Sequence, residues 1–195
     1  MLQVSRSPRR ERIGCLNWPD AFPYAPEASC EIAHSWAELQ LVYRVREDAV
    51  RAVCAADGEH AWEDSCVEFF FAPRPGGGIY YNLECTCIGR IYLCRGTERH
   101  GREPLPEPLL RGIRRSCSLG TEPFGLRQEP AAWEVRLDIP AATFGLERFD
   151  GLQARGNFYQ CGDRLPVPHY LSWAPVGTAR PDFHRPELFD DIVFV

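Results

Sequence analysis

The chain has 195 residues, of which 45% are hydrophobic and 25% charged, and its formal net charge is -5. That length suits one domain with a substantial core, and that composition argues against disorder. The acidic balance leaves no broad basic field for nucleic acid, and the run Arg9-Arg10-Glu11-Arg12 reads as a solvated tail rather than a phosphate site.

Residues 1–27 read as a loosely ordered N-terminal segment of a single domain spanning 1–195. The stretch up to Gly14 is mostly polar and shows no secretory leader, and no window holds the roughly 20 apolar residues of a membrane helix. As written, the chain reads as cytoplasmic and without a membrane partner; with a leader removed beforehand it would read as secreted. Cys30 to His34 opens the strand pattern. From Leu39 to Val45, Leu39, Leu41, Tyr43 and Val45 share one face by period-two alternation. Asp48 to Ala56 fits either a short helix or another strand.

Cys66 to Phe71 places Val67, Phe69 and Phe71 on one face and Cys66, Glu68 and Phe70 on the other. Pro73-Arg74-Pro75-Gly76-Gly77-Gly78 suits a hairpin turn into Ile79 to Ile88. There Tyr81, Leu83, Cys85 and Cys87 oppose Tyr80, Asn82, Glu84 and Thr86. Arg90 to Cys94 is a further strand, and Gly101 to Leu110, with three prolines, an exposed loop. Strands follow at Ile113 to Leu119 and Trp133 to Ile139, and Pro140 to Phe144 fits one helical turn. Asn157 to Cys161 is another strand. Leu165 to Pro186 reads as a long ordered loop with a short strand at Tyr170 to Trp173, and Ile192 to Val195 closes the pattern. Many short strands with one apolar face each need a second sheet to cover them. The fold class is all-β: an antiparallel sandwich of two packed sheets, jelly-roll or immunoglobulin-like, with little helix.

The nine cysteines include no C-x-x-C pair and sit mostly in apolar runs. They read as reduced core thiols, which suits a reducing compartment. Glu68, Asn82, Glu84 and Arg90 fall on the faces opposite the apolar ones. A carboxylate accepts from hydroxyls, an amide does both, and a guanidinium donates in a fork, which is the chemistry of a polyhydroxyl ligand. A plain solvated sheet face is the alternative reading.

Several runs together resemble the bacterial proteins similar to the family 9 carbohydrate-binding module. They are Trp62 to Phe70, Tyr81-Asn82-Leu83-Glu84 with Gly89-Arg90, Trp133 to Pro140, Gly156 to Asp163, His169 to Trp173, and Pro181 to Glu187. The resemblance covers about Trp36 to the end. It implies a β-sandwich that grips a sugar between two tryptophans, at the positions of Trp62 and Trp173. Glu68, six residues after Trp62, stands where the family has a sugar-contacting carboxylate, and Arg90 where it has a basic contact. Tyr170 takes the place of an asparagine, and the last motif ends Phe189-Asp190 instead of Phe-Gly. The resemblance also implies structural calcium, although no ligands can be placed, so the metal is unknown.

The expected ligand site is therefore Trp62, Glu68, Asn82, Glu84, Arg90, Tyr170 and Trp173, with no catalytic residue and a sugar or oligosaccharide end as partner. Core packing is the other reading of the two tryptophans. One rival is a glycoside hydrolase, or other hydrolase, using the carboxylate pair Glu68 and Glu84. A second is a protein-interaction sandwich without sugar binding. Cys161 with His169 and His184 could make a thiol–imidazole pair or a zinc site, but their spacing fits no motif, and a structural role is favoured. The single methionine, Met1, disfavours Met-ligated haem.

Overall fold

The computed structural model describes residues 1–74, 76 and 78–195. Alternation sets the strands: β1 (Leu2–Val4), β2 (Arg9–Ile13), β3 (Cys15–Leu16), β4 (Glu27–His34), β5 (Glu38–Glu47), β6 (Val50–Ala52), β7 (Cys66–Ala72) and β8 (Tyr80–Thr86). Then come β9 (Ile91–Gly96), β10 (Glu103–Pro104), β11 (Arg114–Cys117), β12 (Phe124–Arg127), β13 (Ala131–Pro140), β14 (Gln153–Cys161), β15 (Tyr170–Ser172) and β16 (Asp190–Phe194). Among the described residues, helix is confined to α1 (Glu107–Gly112) and three short 3-10 turns, at Ala61–Glu63, Ala141–Phe144 and Pro186–Leu188. None of these helices is long and apolar enough to cross a membrane.

One sheet has five strands in the order β11-β13-β5-β4-β2. Its spine is the antiparallel pairing of β5 with β13 from Glu38↔Pro140 to Glu47↔Ala131. The other sheet runs β1-β16-β14-β7-β8-β9-β10, with β15 on β14 and β3 on β15. β1 runs parallel to β16, while β7 is antiparallel to both β8 and β14. The inner faces meet in a core of Leu39, Leu41, Tyr43, Val135 and Leu137 from the first sheet against Phe69, Phe71, Leu83 and Phe158 from the second. The all-β sandwich is thus as expected from the alternation. The turn expected at Pro73–Gly78 includes Pro75 and Gly77, which lie outside the described residues.

Two local expectations are corrected, and one open choice is resolved. Residues 1–27 are not loose: β1, β2 and β3 extend both sheets, with Leu2, Val4 and Ile13 fully buried. The charged run hid an edge strand, whose arginines keep its outer margin in water while Arg10 bonds Glu31 of β4. Gly101 to Leu110 holds β10 and most of α1, a helix that starts at the Pro106 junction and buries Leu110. Asp48 to Ala56 resolves as a strand, β6, paired with β12.

A polar cluster sits between the sheets where β5 ends. The Trp133 indole N–H donates to Glu47 Oε1 at 2.8 Å, and the Gln160 amide lies 2.9 Å from His169 Nε2 and 3.4 Å from Glu47 Oε2. Burial pushes the Glu47 carboxyl up to about 7, against hydrogen bonds from Ser65 and Trp133. Burial also lowers His169. The two side chains lie 3.7 Å apart, within ion-pair reach, yet burial works against both charges. A carboxyl whose folded value lies above its ordinary one stabilises the fold fully below that ordinary value and loses the contribution as pH rises through the folded one. Other raised carboxyls titrate in the same window, so the difference isolates Glu47: we expect the loss of stability between about pH 5 and about pH 8 to be smaller by on the order of 2–3 kcal/mol in the Glu47→Gln variant than in the native chain. Denaturant unfolding at the two pH values checks this; equal losses in both proteins would contradict it.

Candidate functional site

The outer face of the larger sheet carries the site. Antiparallel register puts Glu68 opposite both Glu84 and Tyr159, Cys66 opposite Thr86 and Cys161, and Phe70 opposite Asn82 and Asn157. Period-two alternation then gives these residues one face and Val67, Phe69, Leu83 and Phe158 the other. The outer face is not a solvated surface, as one reading of the sequence had it. Glu68, Asn82, Glu84 and Thr86 are each at most 3% exposed. Trp18, Phe183, Phe189 and Val176 form a second apolar cluster over Phe70, Tyr80 and Tyr159, and cover that face.

The cover leaves a cavity of about 250 Å³ lined by Trp62, Glu68, Arg99, Arg102, Cys161, Asp163, Tyr170, Pro181, Asp182, Phe183 and His184. Trp62 stands in the 3-10 turn before β7. Buried Asp64 fixes that turn, accepting from the Val53 and Cys54 amides at 2.8 and 2.9 Å and from Arg51 at 2.6 Å. The Asp163 amide donates to the Trp62 carbonyl at 3.1 Å and so ties the loop after β14 to the turn. Gly162 makes this passage: a Cβ there would meet Leu165 Cδ1 at 2.0 Å. Phe183 is held flat on Tyr159, centroids 4.0 Å apart, and Tyr170 packs edge-on against it. Trp62 is half-buried, with His60 stacked on it at 4.4 Å and Tyr92 edge-on at 5.3 Å.

Burial dominates the electrostatics. It pushes the Glu68 carboxyl up to about 8, relieved in part by the Cys161 thiol, and raises Glu84 well above the carboxylate range with the help of Glu68 opposite. Burial also raises Asp163 to about 6. It holds His184 neutral, down at about 3, with Arg102 and Arg99 adding to the effect; the Tyr80 hydroxyl lies 2.9 Å from His184 Nδ1. Several buried polar atoms have no protein partner: Glu68 Oε2, Asn82 Oδ1, Glu84 Oε2 and Arg102 Nη1. Such atoms are costly unless water or a ligand satisfies them.

Of the expected site residues, Trp62, Glu68 and Tyr170 line the cavity. Asn82 and Glu84 lie in the same face as Glu68, bonded to each other at 2.9 Å, and are not among the lining residues. Arg90 is drawn away, its Nη2 donating to the Thr121 carbonyl at 2.9 Å. Trp173 packs edge-on against inner-face Phe158 at 5.6 Å and donates to Glu11 of β2 at 3.1 Å. Tyr170 and Trp173 are three residues apart in extended chain, so their side chains take opposite faces, and the two-tryptophan clamp is not assembled. Cys161, His169 and His184 are not brought together either: His169 bonds Val167 and Gln160, and His184 faces Tyr80. The lining residues that the sequence does not reveal are Arg99 and Arg102, in the short basic loop after β9, and Asp163 and Phe183, which lie inside the quoted motifs without a ligand role; His184 enters the sequence reading only as a thiol partner or zinc ligand.

The carboxyl pair does not flank the cavity as a glycosidase's two carboxyls flank the scissile bond, since Glu68 lines it and Glu84 does not. Among the described residues, the set of three metal-capable side chains that converges is Cys66, Glu68 and Cys161. Two thiols do not suit calcium, a hard cation that takes oxygen ligands.

A sandwich that roofs one sheet face with aromatic loops and leaves unpaired polar atoms under a small cavity is a ligand-binding module. The chain belongs to carbohydrate-binding family 9, whose model matches residues 2–194. A presumed carbohydrate-binding protein from Bacteroides uniformis is 41% identical, over 96% of this chain and 87% of that one, with a TM-score of 0.93. Two structures of a family 9 module from Caldicellulosiruptor kristjanssonii, one with cellotriose and one with glucose, share the fold at TM-scores of 0.55 and identities of 11% and 12%. They cover 99% and 100% of this chain and 92% and 95% of theirs. None of the curated proteins matches the chain.

Trp173 therefore belongs to the packing between the sheets. Trp173→Ala is expected to cost about 2–3 kcal/mol of unfolding free energy, since the residue is half-buried and loses one hydrogen bond. Urea unfolding checks this; an unchanged midpoint would mean that the indole does not hold the sheets together.

Proposed function

We propose that the chain binds the end of a saccharide in the cavity over Glu68, without cleaving it. The observation that carries this reading is the pairing of aromatic walls with unsatisfied polar atoms. Trp62, Tyr170 and Phe183 offer faces and edges to the C–H surface of a pyranose. Glu68, Asp163, Arg102 and His184 offer acceptors and donors to its hydroxyls. The volume of about 250 Å³ lies just under the roughly 300–1,000 Å³ of drug-sized sites, which fits a one- or two-ring end. The B. uniformis relative's carbohydrate-binding description supports the reading, as do the cellotriose and glucose held by the C. kristjanssonii module. The nine free cysteines favour a reducing compartment as its working place.

Affinity should be modest, because a small ligand makes few contacts and its hydroxyls must shed water. Intrinsic tryptophan fluorescence, titrated with glucose, cellobiose, cellotriose and a panel of other small saccharides, tests the reading. A saturable response to at least one is expected, weakened at least about tenfold, or ~1.4 kcal/mol, by Trp62→Ala and unaltered by Trp173→Ala. No saturable response to any saccharide, or undiminished binding by Trp62→Ala, would refute it.

A further inference from the structure

We infer that Cys66, Cys161 and Glu68 form a binding site for a thiophilic divalent cation of the zinc type, at the floor of the cavity. This inference does not rest on the saccharide reading. Cys66 and Cys161 are direct cross-strand partners on β7 and β14, and Glu68 follows Cys66 by two residues, on the same face. Their ligand atoms all lie within 4.8 Å of one another, and all three residues are buried. The Cys161 thiol donates to Glu68 Oε1 at 3.0 Å. Tetrahedral zinc, with Zn–S near 2.3 Å and Zn–O near 2.1 Å, needs S···S of about 3.8 Å and S···O of about 3.6 Å. Shifts of no more than about 1 Å would therefore bring the three donors onto one ion.

A second observation points to a ligand there. Glu68 Oε2 has no partner although the residue is 3% exposed. Cys161 and Glu68 both line the cavity, whereas Cys66 lies beneath them, so an ion has a path in and keeps one position open to water or a bound hydroxyl. Three protein ligands with an open fourth position is the arrangement of accessible zinc sites, and two thiolates select against calcium and magnesium.

The binding step balances as M²⁺ plus two thiols and one carboxylic acid giving a monoanionic M(S)₂(O) centre and three protons. Arg102, whose Nη1 is buried without a partner, stands over the same cavity and offsets that charge. The thiolate, not the thiol, is the metal ligand, so both thiol protons must leave for the ion to bind.

The test uses the full chain, reduced and freed of metal with a chelator, and titrated with Cd²⁺ and then Zn²⁺. We expect a thiolate-to-cadmium charge-transfer band that saturates at one Cd²⁺ per chain and is displaced by Zn²⁺. It should survive the Cys15→Ser/Cys117→Ser variant, which removes the two more accessible thiols, and vanish in Cys66→Ser and Cys161→Ser. Glu68→Gln should weaken binding at least about tenfold. In weak buffer, the native chain should release two to three protons per Cd²⁺, a reading that does not depend on any variant folding. No band, a band that persists without Cys66 and Cys161, or release of fewer than two protons would overturn the site.

Discussion

The register of β7 against β8 and β14 governs this molecule. It sets Glu68 beside Glu84 and Tyr159, and Cys66 beside Cys161, on one face, and by the same alternation sends Phe69, Leu83 and Phe158 to the other. A slip of one residue in β7 would exchange its own two faces, placing Phe69 and Phe71 on the cavity side and Glu68 in the sandwich core. The packing of Tyr43 and Phe144 against the inner phenylalanines therefore fixes the position of the polar groups outside.

The outer face then poses an energetic problem that the loops resolve. Carboxyls, thiols and an amide under an apolar roof cost free energy unless they are neutral or hydrogen-bonded. Here the carboxyls are shifted toward the neutral form, Asn82 bonds Glu84, and Cys161 bonds Glu68. The roof comes from distant parts of the chain. Trp18 of the N-terminal segment bonds the Thr178 carbonyl at 2.6 Å and packs with Tyr170 and Phe183, so the segment and the long return loop brace each other. Two of the atoms still lacking partners, Glu68 Oε2 and Arg102 Nη1, belong to residues that line the cavity, which gives the site its appetite for a polyhydroxyl ligand.

The sheet strands were legible because their cue is local. The alternation in Leu39–Val45, Cys66–Phe71 and Trp133–Ile139 is uninterrupted, and each became part of a longer strand with the expected faces. The shared face of Glu68, Asn82 and Glu84 could be read in the same way. Its burial could not, since the cover comes from Trp18 and from Val176, Phe183 and Phe189, all distant in the sequence. Residues 1–27 misled because an edge strand dressed with arginines resembles a tail. Trp173 departs from the resemblance because the chain from Tyr170 runs extended and sets the two side chains on opposite sides. Arg102 and Phe183 carried no pattern of their own; only the folded chain brings the loop after β9 and the return loop to one mouth.

The central claim is that a saccharide enters beside Trp62 and nowhere else. The five tryptophans, Trp18, Trp36, Trp62, Trp133 and Trp173, give five indole N–H signals in a nitrogen–proton correlation spectrum. Trp62 borders the cavity, Trp133 bonds Glu47 between the sheets, and Trp173 packs between them as well. On addition of a saccharide that binds, the Trp62 indole should shift progressively to saturation while those of Trp133 and Trp173 hold still. Movement of Trp133 or Trp173 with a stationary Trp62 would contradict the account.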